Sequence, residues 1–232
     1  MHDLKNEKCV VLEFSSAESI KNKKTRAEIK LSTPCIIEIS AVKIEKGKIS
    51  DSFTRFLAIE SYDPHEIELD DMDFNNHGVC AAHLIGAKSL KEELGQLRSF
   101  IDDSIIIMRG QYIDCEFKYL KAFARGRGFE FNNVAVNVTD LLKAFNLHTN
   151  IISGESYENA STIEIAKHLK LDCDTWTGLF IQNEVEFDPS REIILNCRDD
   201  SLSWALAIAQ LYVNLYDELY PKLKPIDEEI SF

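Results

Sequence analysis

The pattern opens on Cys9-Val-Val-Leu-Glu-Phe14, apolar at every position but Glu13 and rich in β-branched residues, as in a strand buried on both faces. It ends in Ser15-Ser16, and the lysine-rich segment 21–26 reads as a solvated loop. Residues 35–44 alternate as a second strand, and Glu45-Lys-Gly-Lys48 supplies a glycine turn into a third over 49–59. Three consecutive strands predict an antiparallel meander. Beyond an irregular acidic stretch, 60–86, the capping box Ser89-Leu-Lys-Glu92 starts a helix with Leu90, Leu94, Leu97 and Ile101 on one face.

The second half alternates strand and helix patterns. Ser104-Ile-Ile-Ile-Met108 reads as a buried strand, and residues 115–125 as a helix carrying Phe117, Leu120 and Ala124 inward and stopping at Gly126-Arg-Gly128. A strand over 134–138, a helix over 139–145 and a capped helix from Ser161 follow. Two strand-like runs, 180–187 and 192–195, flank Asp188-Pro-Ser-Arg191. The last helix runs from about 199 to 219, where Pro221 ends it, with a small-residue stripe at Leu202, Ala205, Leu206 and Ala209. This order predicts an α/β fold on a mixed sheet. No repeat or linker divides the chain, so one domain over 1–221 with an acidic tail, 222–232, is expected.

Composition narrows the class. The 232 residues are 45% hydrophobic and 28% charged with 9 Gly and 5 Pro, which excludes collagen-like, low-complexity and wholly disordered chains. A net charge of -13 argues against coating nucleic acid through the whole surface and leaves room for a local basic groove. Six cysteines are scattered without zinc-site spacing, and His65, His83, His148 and His168 suggest no metal. Neither a signal-peptide run nor a membrane-length apolar stretch is present, so a cytoplasmic chain with no membrane partner is expected.

Acids fall where an α/β sheet presents ligands: Glu13 on the first strand, Asp114 after the strand ending at Met108, and Asp199-Asp200 opening the last helix. Carboxylates converging from distant segments suit a two-metal phosphoryl-transfer site, because Mg²⁺ or Mn²⁺ requires hard oxygen ligands. Each has a plainer reading, since Asp199-Asp200 also makes a good helix cap.

Several segments, in chain order, together resemble the DnaQ-like 3′→5′ exonucleases of the ribonuclease H-like fold. They are Val10-Val-Leu-Glu-Phe-Ser15, Ile36-Ile-Glu-Ile-Ser-Ala-Val-Lys-Ile44, His77-Gly-Val79, residues 105–114, and Asp199-Asp200-Ser201 before an Ala-rich helix. The resemblance implies a mixed sheet of five or slightly more strands flanked by helices, with an extra hairpin, about 177–195, before the last helix. It implies Mg²⁺ or Mn²⁺ held by Glu13, Asp114 and Asp200, and a nucleic-acid 3′ end as partner, met by His77 and Gly78; Lys23 and Lys24 after the first motif and Arg109 at the second add charge that suits phosphates or forms a solvated run.

Departures from the family pattern bear on activity. Where members carry Asp-x-Glu, this chain has Glu13-Phe-Ser15, so a hydroxyl replaces the second acid. Arg109-Gly110 stand where members have His-Asn, and Asn196 takes the general-base His position once a one-residue deletion is allowed. An amide cannot take a proton from water, and general-base catalysis is worth about 10²–10⁴-fold. Glu18 and Asp199 are the acids available to replace a lost one. The expectation is an exonuclease-fold protein with impaired or lost hydrolysis. The alternative is a noncatalytic module using the fold to bind a nucleic-acid end, a protein partner or its own copy, and the changes at Ser15 and Asn196 favour loss of chemistry.

Overall fold

The computed structural model describes residues 8–69 and 79–138, together with Leu202, Ala205, Leu206, Ile208, Ala209, Gln210, Tyr212 and Val213 of the last helix. His77, Gly78, Asn196, Asp199 and Asp200 lie outside the described residues, as do the helices expected over 139–145 and from Ser161, the 177–195 hairpin and the tail.

Among the described residues six strands join in one mixed sheet: β1 (Cys9–Asn22), β2 (Glu28–Glu45), β3 (Lys48–Phe56), β4 (Ile67–Leu69), β5 (Ile105–Met108) and β6 (Ala135–Asn137), in the order β3-β2-β1-β5-β6 with β4 on the far end of β1. The first three form the expected antiparallel meander, and β5 and β6 add in parallel. Among the described residues α1 (Leu90–Ile101), α2 (Gly110–Asp114) and α3 (Glu116–Arg125) lie between the strands, and part of the last helix is described near the C-terminal end.

β1 and β2 are longer than their apolar runs. β1 continues past Ser15 to Asn22, and β2 begins at Glu28 instead of 35. The continuation holds because Ala17 and Ile20 are buried, packing with Ile37, Ile59, Ile67, Leu69, Val79 and Leu84 in a separate cluster around the hairpin's outer end. Register shifts at Ser15/Ser16 and Ala17/Ser19 break the alternation there, as β-bulges do, which hides this stretch from a period-two reading. The lysine-rich segment is therefore strand end and tight turn. The Asn22 side chain accepts from the Lys24 and Thr25 amides, and Lys24 and Arg26 pair with Glu66 and Glu68 beside β4. β3 ends at Phe56, short of the expected 59. The stretch 60–86 contains β4 and a 3₁₀ turn at Ala81–Leu84.

α1 opens with the capping box as read: Ser89 accepts from the Glu92 amide, and the Glu92 side chain bonds back to the Ser89 amide. Its Leu90, Leu94, Leu97 and Ile101 pack with Phe117, Leu120 and Ala124 of α3 on the face formed by Val10, Leu12, Phe14, Ile39, Ala41, Ile106 and Met108. Alternate residues Cys9, Val11, Val42, Ile44 and Ile107 meet Ala205, Ile208, Ala209 and Tyr212 of the last helix. Helices thus cover both faces, which explains why β1 and β5 read as continuous apolar runs. No described helix is long and apolar enough to cross a membrane.

Leu97 is 1% exposed in the middle of the α1 seam. Leu97→Ala is expected to cost about 2–5 kcal/mol in chemical denaturation, and Ser89→Ala about 1 kcal/mol through loss of the cap; equal costs would contradict this ranking of packing over capping.

Candidate functional site

One face of the meander changes character along its length. Strand parity puts Glu13 and Ser15 on the face of Cys9 and Val11, and the register sets Glu13 opposite Ser40 and Ser15 opposite Glu38. These four polar residues are 0–3% exposed and continue the apolar stripe under the last helix. Buried polar groups need partners. Ser15 Oγ donates to Glu38 Oε2 at 2.9 Å, and the Ser40 and Thr54 hydroxyls lie 3.1 Å apart.

Glu13 is answered from β5. The strand ends at Met108, and Arg109, the N-cap of α2, turns back across the sheet end. Its Nε and Nη2 both donate to Glu13 Oε2, at 2.9 and 2.6 Å, and Nη2 also donates to Tyr112 Oη at 2.7 Å. The guanidinium carbon stands 4.7 Å from the centre of the Tyr112 ring, whose edge meets Phe14 with centroids 5.8 Å apart. Gly110 permits this turn: a Cβ there would lie 2.7 Å from Asn137 Nδ2 on β6, so a larger residue displaces that side chain. Both Arg109 donors use one carboxylate oxygen, and Glu13 Oε1 is buried without a hydrogen-bond partner among the described residues.

Burial pushes the Glu13 carboxyl from 4.5 up to about 7, against the downward pull of Arg109. Burial also works against the Arg109 charge, but Glu13 and Tyr112 raise its pKa, so the guanidinium stays protonated.

Of the other expected residues, only some are described. Asp114 is exposed at the end of α2. Glu18 is exposed at the second register shift of β1, between Ala17 and Ser19, five residues along from Glu13 or about 16 Å of strand. Lys23 and Lys24 lie past Asn22, nine strand residues and about 30 Å from Glu13. Lys23 donates to the His65 carbonyl and Lys24 pairs with Glu66 at 2.6 Å. Arg109 turns inward, with its side chain 23% exposed. His83 is a core histidine stacked on Phe56, its Nδ1 accepting from the Cys80 amide. A cavity of about 210 Å³ bounded by Tyr62, Tyr119 and Phe123 shares no wall residue with the Glu13 cluster.

The Mg²⁺ or Mn²⁺ that the resemblance implies needs several converging oxygen donors. Among the described residues no three His, Cys, Asp or Glu side chains converge in that way. Glu13 is engaged by Arg109, and Ser15 presents a neutral hydroxyl whose proton goes to Glu38. Without Asp200, which lies outside the described residues, these donors do not by themselves make a divalent-ion site. Sequence reasoning missed Glu38 and Tyr112. Glu38 carried a signal, an acid inside the apolar run 36–44, and Tyr112 carried none beyond standing three residues after Arg109.

No family model matches the chain. It is 24% identical over 99 residues, 42% of its length, to the DNA polymerase III subunit epsilon of Aquifex aeolicus (strain VF5). It is 32% identical over 82 residues, 35% of its length, to the PolC-type DNA polymerase III of Halalkalibacterium halodurans. The chain spans 45% of the first relative and 5% of the second. Among solved structures, the nuclease domain of 3′hExo, a DEDDh family member bound to rAMP, matches with a TM-score of 0.59 at 11% identity over 92% of this chain and 93% of that one. Exonuclease X in complex with 5′ overhanging duplex DNA matches at 0.51 and 11% over 90% and 92%. The cell-death related nuclease CRN-4 matches at 0.56 and 10% over 92% and 64%. The chain has the fold of the DnaQ-like 3′→5′ exonucleases, a ribonuclease H-like mixed sheet flanked by helices.

The Glu13 carboxyl gives a pH test. It ionises near 4.5 in the unfolded chain and near 7 in the fold, so between these values the native state holds the extra proton. Its contribution to stability is full at and below pH 4.5 and is lost as the pH rises through 7. The stability of wild type relative to Glu13→Gln is expected to fall by about 3 kcal/mol between pH 4.5 and 7.5, at about 1.4 kcal/mol per pH unit. Urea melts across that range check it, and a flat or rising difference would refute it.

Proposed function

We propose that this chain engages the 3′ end of a DNA or RNA strand through its exonuclease fold and has impaired or lost metal-dependent phosphodiester hydrolysis. The observation that carries the reading is Ser15, where the family pattern has the second acid of β1: a buried hydroxyl that donates to Glu38. A neutral hydroxyl supplies no bridging negative charge for a second ion. Asn196, in the position of the family's general base, removes a further factor of about 10²–10⁴. The relatives' names, which include two DNA polymerase III proteins and an exonuclease bound to DNA, support a nucleic-acid strand as partner. Residues 1–221 form the exonuclease-like domain in this reading, and 222–232 an appended acidic tail.

Lys24 and Arg26 are paired with Glu66 and Glu68, so the basic turn offers little free charge to phosphates. With -13 overall, binding is expected to be local and to weaken steeply with salt. A noncatalytic module for a protein partner or a second copy is the outcome that remains if no strand binds.

The test uses labelled single-stranded DNA and RNA with free or phosphate-blocked 3′ ends. The expected result is salt-sensitive binding that prefers the free 3′ end, with trimming in Mn²⁺ at least about a hundredfold below an active enzyme of this fold. Mn²⁺-dependent 3′ trimming at a comparable rate, lost in Asp114→Ala, would overturn the impaired site.

A further inference from the structure

The family pattern puts two carboxylates on the first strand and balances them with divalent ions. At those two positions this chain has one carboxylate, Glu13, and sets a permanent monovalent cation against it, because the residue after β5 is Arg109. A Mg²⁺ ion bound to Oε2 at about 2.1 Å would stand within about 5 Å of guanidinium nitrogens that lie 2.6 and 2.9 Å from the same oxygen. Two cations so close repel strongly in a buried site. The guanidinium does not lose its proton at any working pH. Nor is it a loose surface chain: Tyr112 holds it by a 2.7 Å hydrogen bond and by its ring face, and the Arg109 carbonyl accepts the Tyr112 amide at 3.0 Å in the first turn of α2.

We propose that Arg109 is the resident cation of this site, standing beside Glu13 where a divalent ion would otherwise bind, so that the chain holds a 3′ end without metal. The inference rests on the functional reading above for its ligand, but the cation exchange is testable by itself. Removal of Arg109 would release Glu13 Oε2, which would then join the buried Oε1, already without a partner among the described residues, as a second acceptor.

The experiment titrates Mn²⁺ into the full chain at pH 8, following depletion of the free-ion EPR signal, for wild type, Glu13→Gln, Arg109→Gln, Arg109→Lys and the Glu13→Gln/Arg109→Gln pair. Wild type and Arg109→Lys are expected to show no Glu13-dependent uptake. Arg109→Gln is expected to bind Mn²⁺ at least about tenfold more tightly than wild type, and adding Glu13→Gln is expected to cancel the gain. Wild-type uptake that Glu13→Gln abolishes would overturn the proposal, as would an Arg109→Gln affinity equal to wild type. Should Arg109→Gln fail to fold by circular dichroism, comparison of wild type with Glu13→Gln still decides. Fluorescence anisotropy with a free-3′-end oligonucleotide supplies the second arm: equal affinity in EDTA and in Mn²⁺ is expected, and metal-dependent affinity would overturn the proposal. No oligonucleotide binding in either condition would sink the 3′-end reading and the metal-independent hold with it, while the Mn²⁺ titration would still decide whether Arg109 excludes the ion.

Discussion

The Glu13–Arg109 pair organises the sheet end around it. A carboxylate fully buried in the middle of a strand is costly, and breaking such a pair by removing one partner typically costs about 3–5 kcal/mol because the other charge is left behind. Here the partner comes from the end of the parallel neighbour β5. Satisfying Glu13 requires Arg109 to turn back over the strand end, which starts α2, brings Tyr112 against Phe14, and leads through Asp114 into α3. At Gly110 a side chain would have to displace the Asn137 amide, which stands over that position. A charge on β1 and the course of the chain after β5 are thus one constraint.

The rest of the polar stripe follows the same logic with neutral groups. Ser15 and Ser40 lie across the meander from Glu38 and Glu13 and bond to Glu38 and Thr54, so the buried face from 13 to 15 on β1 and 38 to 40 on β2 is a hydrogen-bonded layer beside an apolar one. Such a layer is specified by its partners and tolerates little rearrangement. Farther along, the long β1–β2 hairpin carries its basic turn against Glu66 and Glu68, so that this end of the hairpin is locally charge-balanced.

At 11% identity the chain keeps the architecture of DEDDh nuclease structures while its first-strand motif differs. Helices packed on both faces of a sheet accept many apolar side chains of suitable volume, so a fold outlasts its sequence. A site does not, because each position needs a particular charge at a particular place. Glu13, Ser15 and Arg109 show the difference: all sit on or at the end of central strands of the sheet, and their joint chemistry is an ion pair and a neutral hydroxyl bond.

The sequence alone determined the meander, the capped helix α1 and the inward stripe Phe117, Leu120, Ala124, because periodicity and capping are local and need no knowledge of distant partners. It also identified Glu13, Ser15 and Arg109 as positions that depart from the family pattern. It misread the length of β1 and β2, where bulges interrupt the alternation and burial depends on Val79 and Leu84 arriving from elsewhere. Lys23, Lys24 and Arg109 looked alike as free cations, since sequence gives charge without direction. Only the tertiary structure decided that two lysines stand about 30 Å of strand away from Glu13 and that Arg109 turns inward onto it. Which charges meet is a matter of register and strand order, and these are properties of the whole sheet.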